Sequence, residues 1–527
     1  MSKANFLYYG SILICLYISG FDCTLYAQTS AFEEYRRKAH QQFEEFKAAK
    51  QSEFEAYRAR VNKEFADFMS KAWPEYNTEP AIPAPSIPEP PTPKVSPPEE
   101  KPSNEPFPFS KVSPIAETPQ KPTPLLPDPE ELSSPILEPE ERPTLIPDPS
   151  PSSEPVIPTP SVKPDAPTIP GISFDFYGQR CVVPFDASLR FSLRGADEKN
   201  VAQAWQGLSG DKSVATVKGC VNLRDNMRLS DWGYIRLLEN FSNSVFPNNR
   251  NEARLLQMFL LTQSGYKVRI GRSGENLILL VPCKETIYNY KYIPIKGTNY
   301  YITDKNVGTG PTYIYNREFP GEQMSSLFIS EQPQLPLIPS PTRHLRSAFN
   351  PSIDFDISVN KNLIDFYNDY PLSSNWNLNA KASLSEEAKS KLYPILRENI
   401  NGKGEVEAAG ILLHFVQTAF DYKTDEEQFG IERSFFPDEN FYYPFNDCED
   451  RAILFAVLVK DLIGLDTVLV HYPGHLATAV HFNENASGDY FDVDGQKYIV
   501  CDPTYINAGV GQAMSMYKGS NAELIKL

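Results

Sequence analysis

Between Pro80 and Pro170 the chain carries 30 of its 48 prolines, mixed with Glu, Ser, Thr and Lys and with almost no aromatic residues. A stretch of this composition cannot bury enough apolar surface to fold, and proline favours extended conformations of about 3 Å per residue. We therefore predict a disordered linker over residues 79–171. The 527-residue chain must then fold as separate units on either side of it.

The formal net charge of −17 and the isoelectric point near 5.0 describe an acidic chain. Nucleic acids and anionic membranes are bound by clusters of Lys and Arg, and no stretch of this sequence supplies such a cluster. The composition therefore argues against a nucleic-acid partner. Proteins, peptides or glycans are the expected partners.

The first residues, 1–27, have the pattern of a secretory signal peptide. Lys3 is the charged start, residues 6–18 form an apolar stretch too short to span a bilayer, and Ala27 ends a cleavage site. The pattern predicts a secreted, periplasmic or cell-surface protein, with an uncleaved anchor as the alternative. Cleavage would leave an odd number of cysteines, which allows two disulfides and one free thiol. These cysteines are Cys181, Cys220, Cys283, Cys448 and Cys501.

Residues 28–78 contain an aromatic repeat with a step of eleven residues. Its members are Phe32, Phe43, Phe54 and Phe65, and, in a second series, Tyr35, Phe46, Tyr57 and Phe68. An eleven-residue period keeps an apolar stripe on one face of a long helix or coiled coil, and that stripe needs a partner. The partner is either the globular part of the same chain or another protein. The long linker makes the first contact entropically loose, so the sequence favours self-association or docking on another protein.

Aromatic and aliphatic residues return near residue 172, and a second proline-containing break separates two globular regions. The predicted order is signal peptide, amphipathic helix, disordered linker, globular domain, short linker and globular domain, at residues 1–27, 28–78, 79–171, 172–330, 331–344 and 345–527.

In the last domain the apolar periodicity predicts helices followed by short strands. The helices are expected at residues 383–401, 405–420 and 447–463, and the strands at residues 467–471, 475–482, 488–491 and 497–501. Helices that precede an antiparallel sheet define an α+β fold.

Cys448 begins the last of these helices, within the motif Asp-Cys-Glu-Asp-Arg. The unpaired amides and the dipole of a helix start favour a thiolate, which is the nucleophilic form of cysteine. The neighbouring acids Asp447, Glu449 and Asp450 disfavour it, so a cationic partner is needed.

That partner is predicted to be His475, which begins an apolar strand after a tight turn. Strand alternation places Ala477 and Ala479 on the same face as His475, where small side chains would let the buried helix approach closely. Asp502 ends the next apolar strand and could orient the imidazole through its second ring nitrogen.

This order of cysteine, histidine and aspartate resembles the transglutaminase-like superfamily, whose fold is papain-like. The similarity is in particular to bacterial transglutaminase-like cysteine proteinases, in which the nucleophile also lies in an Asp-Cys-Glu-Asp context. The resemblance covers about residues 345–527. It implies that Cys448 is the nucleophile, His475 the base and acid, and Asp502 the orienting carboxylate.

The chain departs from that family at Ala477, where an aromatic residue is common, and this affects the expected shape of the pocket. The Cys448 amide is the default oxyanion donor, with Gln428 as a side-chain candidate. No cofactor and no metal ligand are expected, since the acids Asp489, Asp492 and Asp494 fit a solvated hairpin.

An internal similarity links the two globular regions. Asn251, Glu275 and Asp304 align with Cys448, His475 and Asp502, and the intervals nearly match. We therefore hypothesise that residues 172–330 are a degenerate copy of the catalytic fold, without the thiol and suited to substrate binding or support. Chance similarity between two α+β domains is the alternative.

Two functions follow from these patterns. The first is a thiol-dependent acyl-transfer enzyme that hydrolyses peptide or isopeptide bonds, or transfers the acyl group to an amine, with a protein or peptide substrate. The second is a non-catalytic cell-surface binding or assembly protein with a vestigial triad. The intact triad favours the enzyme.

Overall fold

The computed structural model describes residues 37–84, 102–123 and 170–527, apart from residues 39, 44, 118, 119, 305, 306, 308 and 309. The predicted signal peptide lies outside the described residues. None of the helices within those ranges combines the length and the hydropathy that a membrane crossing requires. Of the described residues, 37–64 belong to one compact unit, and those from 65 onwards belong to another, which we call the large unit.

Helix α1, residues 45–69, contains most of the predicted aromatic repeat. In the first unit, Phe46 is 55% and Tyr57 is 40% exposed. In the second unit, Phe65 is buried and its ring centroid lies 5.1 Å from that of Trp205. The end of the stripe thus packs on the globular part of the same chain, whereas self-association through the exposed positions remains a prediction.

Replacing Phe65 with alanine is expected to destabilise the second unit by about 3–5 kcal/mol, because it removes a large buried ring and leaves a cavity. Urea unfolding followed by tryptophan fluorescence measures this loss. The control is Phe46→Ala in the same repeat, which should change stability by no more than about 0.5 kcal/mol. Equal effects of the two substitutions would contradict the packing described for Phe65.

The first half of the large unit, residues 170–330, begins with a hairpin, continues with four helices and ends with a sheet. Its hairpin strands are β3 (Gly171–Phe176) and β4 (Gln179–Pro184), its helices are α2 (Glu198–Leu208), α3 (Val214–Asn226), α4 (Asp231–Val245) and α5 (Arg250–Gln263), and its sheet strands are β5 (Arg269–Ser273), β6 (Asn276–Pro282), β7 (Tyr292–Ile295), β8 (Thr298–Ile302) and β9 (Pro311–Ile314).

The second half, residues 331–527, has the same succession of hairpin, helices and sheet. The hairpin strands are β10 (Arg343–Arg346) and β11 (Asp354–Ile357), the helices are α6 (Lys361–Asn368), α7 (Asn377–Lys381), α8 (Glu386–Ile400), α9 (Glu405–Ala419), α10 (Asp425–Phe429) and α11 (Cys448–Leu462), the short strands β12 (Asp421–Tyr422) and β13 (Phe445–Asn446) pair with each other, and the sheet strands are β14 (Thr467–Tyr472), β15 (His475–His481), β16 (Tyr490–Val493), β17 (Gln496–Cys501) and β18 (Ala522–Lys526). The α+β class predicted from the sequence is confirmed.

Each sheet has six strands, and the sixth comes from the N-terminal region that precedes residue 170. Strands β1 (Glu75–Asn77) and β2 (Phe109–Ser113) supply it. The first sheet has the order β7-β8-β6-β5-β9-β1, and the second has the order β16-β17-β15-β14-β18-β2. Strand for strand the two orders correspond, with β6 in the position of β15 and β8 in the position of β17.

Part of the predicted disordered linker is ordered. Strand β2 runs parallel to β18 at the edge of the second sheet, and the Phe107 ring packs 5.7 Å from that of Phe491. The expectation of disorder over all of residues 79–171 is therefore wrong for residues 102–117. A strand that joins the edge of an existing sheet is held by backbone hydrogen bonds and does not need a large apolar surface of its own. Here β18, already paired with β14, offers that edge to β2.

Helix α11 packs on one face of the second sheet. The Thr478 hydroxyl donates to the carbonyl oxygen of Ala452 in α11 at 3.1 Å. Side chains alternate along a strand, so Ala477 and Ala479 point to the opposite face, where they lie in a separate apolar core. The prediction that these two alanines receive the helix was wrong, although the positions of the helix and the strand were right.

Candidate functional site

The Cys448 side chain lies at the start of the buried helix α11, as predicted. Asp447 is the N-cap residue, and Cys448 is the first residue with helical conformation. The thiol is 2% exposed and packs with Trp376 and Leu476. The helix begins there because Asp447 has an extended backbone and because the backbone amide of Asp447 donates to the Asp450 carboxylate at 3.4 Å.

His475 and Asp502 form a buried pair. His475 Nε2 lies 2.9 Å from Asp502 Oδ2, and both side chains are almost fully buried. The other carboxylate oxygen, Oδ1, accepts from the amides of Thr504 at 2.9 Å and Tyr505 at 3.2 Å. The Tyr517 ring stacks on the imidazole, with centroids 5.2 Å apart. The orientation of the histidine is thus determined by both its hydrogen bond and its packing.

The second ring nitrogen of His475 is open. Nδ1 has no hydrogen-bond partner among the described residues. Burial alone lowers the pKa of His475, but the charge and hydrogen bond of Asp502, together with the neighbouring Cys448 thiol, raise that pKa to about 10. The Cys448 thiol itself donates to Glu449 Oε2 at 3.2 Å. Below that pKa the His475 ring is an imidazolium, which can pair through Nδ1 with the thiolate form of Cys448 once the sulfur turns away from Glu449.

The raised pKa of His475 predicts a pH-dependent contribution to stability. The folded state holds the proton up to about pH 10, whereas the unfolded state releases it near pH 6.5. The stabilisation is therefore complete below pH 6.5 and is lost as the pH rises towards 10. We expect the free-energy difference between the native protein and His475→Gln to shrink by about 1.4 kcal/mol per pH unit in this window, as measured by urea unfolding.

The matched control for that measurement is His344→Gln, because the His344 side chain is 63% exposed. Its difference from the native protein is subtracted at each pH, so that the general effect of removing an exposed histidine is not counted. A pH-independent remainder for His475→Gln would contradict the pairing with Asp502.

Buried acids surround the start of helix α11. One oxygen each of Asp425, Asp447 and Glu449 lie within 4.8 Å of one another, and all three residues are buried. Burial, with a smaller contribution from nearby charges, raises the pKa of Asp425 to about 9 and that of Asp447 to about 7. Oxygen ligands in such an arrangement are those that hard divalent cations prefer, so these three residues could hold one. The sequence interpretation named no metal ligand and missed Asp425, which precedes the helix by more than twenty residues.

Arg451 is the cation within this acidic surrounding. Its guanidinium donates to Asn446 Oδ1 at 2.9 Å and to the backbone carbonyls of Phe420 at 2.8 Å and Gln417 at 3.4 Å. Burial lowers the pKa of Arg451 to about 10. The Gln417 side-chain amide in turn donates to the Asp502 carbonyl at 3.1 Å. One chain of hydrogen bonds therefore connects the helix that carries the thiol to the loop that carries the triad acid.

Gln428, the predicted oxyanion candidate, lies in α10 and donates to the Phe445 carbonyl at 3.3 Å. The structure thus places it beside the segment that leads to the thiol. Of the acids assigned to a solvated hairpin, Asp489 is buried and accepts from the Ala513 amide at 2.9 Å, which corrects that interpretation. Asp492 and Asp494 are exposed, as expected.

The sequence interpretation left out Trp376 and Tyr517. Trp376 packs with the thiol, and Tyr517 stacks on the histidine. Both lie far from the triad motifs along the chain, so no local pattern indicates them. All five cysteines named above are free and buried, so none of the disulfides allowed by the odd count forms among the described residues.

In the first half, the residues that align with Cys448, His475 and Asp502 also lie close to one another. Asn251, near the start of α5, donates through Nδ2 to the Glu275 carbonyl at 2.9 Å and accepts from the Leu277 amide at 2.9 Å. The neighbouring Arg250 forms an ion pair with Asp304. A helix start, a strand start and an aspartate after a strand thus come together as in the second half, with an amide in place of the thiol.

A cleft of about 1170 Å³ lies beside the turn that precedes His475. Its lining includes Lys284 and Tyr288 of the first half and Trp376 of the second half. Gly474, which precedes the triad histidine, also borders the cleft. The cleft is large enough for several residues of a polypeptide.

Comparison with protein-family models, with curated proteins and with solved structures gives no match to this chain. The function is therefore inferred from the residues of the site.

Proposed function

We propose that this protein is a thiol-dependent acyl-transfer enzyme that acts on peptide or isopeptide bonds. The observation that carries the proposal is the buried His475–Asp502 pair at 2.9 Å, with the open nitrogen of the imidazole next to a thiol at a helix start. A histidine oriented by a carboxylate and adjacent to a thiol is the arrangement that nucleophilic catalysis requires.

In the proposed reaction, the Cys448 sulfur, held as a thiolate beside the His475 imidazolium, attacks the carbonyl carbon of the substrate. The resulting oxyanion is stabilised by the Cys448 amide, with the second amide hydrogen of Gln428 as support. The C–N bond then breaks as the imidazolium gives its proton to the leaving amine. Water hydrolyses the acyl-enzyme, with His475 as the base, or an amine takes the acyl group instead.

The resemblance to transglutaminase-like cysteine proteinases supports this proposal, and so does the order of elements in which hairpin, helices and sheet succeed one another. Export from the cytoplasm is part of the proposal and rests on the pattern of residues 1–27. We also propose that the first half is a degenerate copy of the catalytic fold. The corresponding strand orders of the two sheets support this proposal.

A second candidate is a binding or assembly protein without catalysis. It is favoured by the closed state of the thiol, which is 2% exposed and hydrogen-bonded to Glu449. A vestigial cysteine would be unreactive, whereas a nucleophile must react with electrophiles.

The test is the rate at which iodoacetamide alkylates Cys448 between pH 5 and 9, followed by mass spectrometry of the Cys448 peptide. We expect fast alkylation at pH 6–7 and a loss of about 10- to 100-fold in His475→Ala, because the thiolate loses its cationic partner. Cys501 is the internal control, since it is fully buried and its pKa is raised by burial. Equal, slow rates in both proteins would favour the binding protein.

A further inference from the structure

The Tyr422 side chain lies beside the start of helix α11. Strand β12 runs parallel to β13 and places Tyr422 opposite Asn446, two residues before Cys448. The guanidinium of Arg451, near the first turn of α11, lies over the Tyr422 ring, 5.3 Å from its centroid. Backbone pairing on one side and the guanidinium on the other therefore hold the phenol next to the helix that carries the nucleophile.

The hydroxyl of Tyr422 is buried, and no described residue forms a hydrogen bond with it. A buried hydroxyl without a partner is unfavourable, so its retention calls for an explanation such as a reacting group that uses it. Burial raises the pKa of Tyr422 above its ordinary value of 10.0, and so do the nearby charges of Cys448 and Asp447. The phenol therefore keeps its proton at neutral pH and is a donor in the neighbourhood of the thiol.

Gln428, the other side-chain candidate, has less to donate. Its amide nitrogen already donates to the Phe445 carbonyl at 3.3 Å. Its side-chain oxygen is buried without a partner in the part of the chain that the structure describes, and an oxygen of this kind only accepts. Tyr422 has a single hydroxyl hydrogen, and that hydrogen is not donated to any described residue.

The start of α11 also supplies a backbone donor. Cys448 is the first helical residue, so its amide has no acceptor within the helix. When a sulfur attacks a carbonyl group, negative charge develops on the carbonyl oxygen, and donors that are already in place stabilise it. Such donors are most effective where water is excluded, as it is from this buried helix start.

From this placement we propose that the Tyr422 hydroxyl is the principal side-chain oxyanion donor, acting together with the Cys448 amide. The thiolate adds to the carbonyl carbon, an electron pair of the C=O bond moves to the oxygen, and the Tyr422 O–H donates a hydrogen bond to that oxygen without giving up its proton. The C=O bond then re-forms, and the leaving group departs with its electron pair. The inference rests on the proposed function, because it assigns Tyr422 a part in the reaction of Cys448.

Two reagents separate this role from a general effect on the thiol. p-Nitrophenyl acetate acylates a thiolate through an oxyanion and releases p-nitrophenolate, whereas iodoacetamide alkylates it by displacing iodide, without an oxyanion. Both rates are measured on the full chain at pH 7, the first from the absorbance of p-nitrophenolate and the second from the mass of the Cys448 peptide. The acylation rate of Cys448→Ala is subtracted, which removes the contribution of other nucleophiles.

We expect Tyr422→Phe to slow acylation by about 10- to 100-fold and to change alkylation by less than about twofold, because only acylation forms an oxyanion. Its melting temperature should stay the same or rise, since the deleted hydroxyl has no partner among the described residues. The matched control is Tyr472→Phe, which also removes a buried hydroxyl without a described partner, but from the apolar core on the other face of the sheet. Both rates of the control should equal those of the native protein.

Equal losses in the two reactions of Tyr422→Phe would mean that Tyr422 acts on the thiolate, and unchanged rates would mean that it takes no part. Either result would overturn the inference. A selective loss of acylation in Gln428→Ala but not in Tyr422→Phe would also overturn it and would assign the role to Gln428. If the native thiol reacts with neither reagent, the proposed function itself fails, and the role of Tyr422 fails with it.

Discussion

Asp502→Asn is expected to reduce the reactivity of Cys448 by about 100-fold or more, although the substitution changes hardly any volume. Oδ1 of Asp502 accepts from two backbone amides, so the carbonyl oxygen of an asparagine must take that position. Its NH₂ group then faces His475 Nε2, which has to accept a hydrogen bond. The ring proton moves to Nδ1, and the imidazole can no longer take the thiol proton. The analogous exchange in a serine protease triad costs about 10⁴ in turnover for the same reason.

Alkylation by iodoacetamide measures this effect, and urea unfolding measures stability alongside it. Asp492→Asn is the matched control, because Asp492 accepts from the Gly495 amide in an exposed hairpin and touches no triad residue. A full loss of reactivity in the control, or unchanged reactivity in Asp502→Asn, would show that the tautomer of His475 does not govern the thiol.

Arg451→Ala is expected to destabilise the second half by about 3–5 kcal/mol. The substitution removes the donors for three buried oxygens, those of Asn446, Gln417 and Phe420. A buried oxygen that loses its donor costs about 1–3 kcal/mol, because it stays out of water without a hydrogen bond. Thermal unfolding of the full chain measures the loss.

Arg397→Ala provides the comparison for Arg451→Ala, since Arg397 is an exposed residue of α8 whose guanidinium lies over the Tyr393 ring. It should cost at most about 1 kcal/mol. Arg451→Lys keeps the positive charge but lacks the planar guanidinium that donates to several acceptors at once. We therefore expect an intermediate loss of stability. If Arg451→Lys were as stable as the native protein, the positive charge alone would explain the contribution of Arg451 to stability.

The local patterns of the sequence predicted much of the second half. Helices at 383–401, 405–420 and 447–463 correspond to α8, α9 and α11, and the four predicted strands correspond to β14, β15, β16 and β17. The Asp494-Gly495 turn also forms, with positive φ at both residues. These elements are determined by side-chain periodicity and by turn residues, which act over a few positions.

The rest depends on contacts between distant residues. Strand β2 has no apolar alternation of its own and becomes a strand because β18 offers an unpaired edge. The three-acid group joins Asp425 to the helix start only after the loop between them has folded back. Sequence order and strand periodicity indicated His475 and Asp502, which pair in the structure, but not the direction in which the Cys448 thiol points.

The completion of both sheets by the N-terminal region has a consequence for biosynthesis. Ser110 and Ala522 are joined by a hydrogen bond across 412 positions of the chain, so Ser110 cannot make this contact until Ala522 and the residues between them have been synthesised. Contacts of such long range are formed late and slow the final folding step. Strand β14 is made shortly before β18, so its edge is unpaired only briefly, whereas β2 is without its partner strand during the synthesis of all the residues between them.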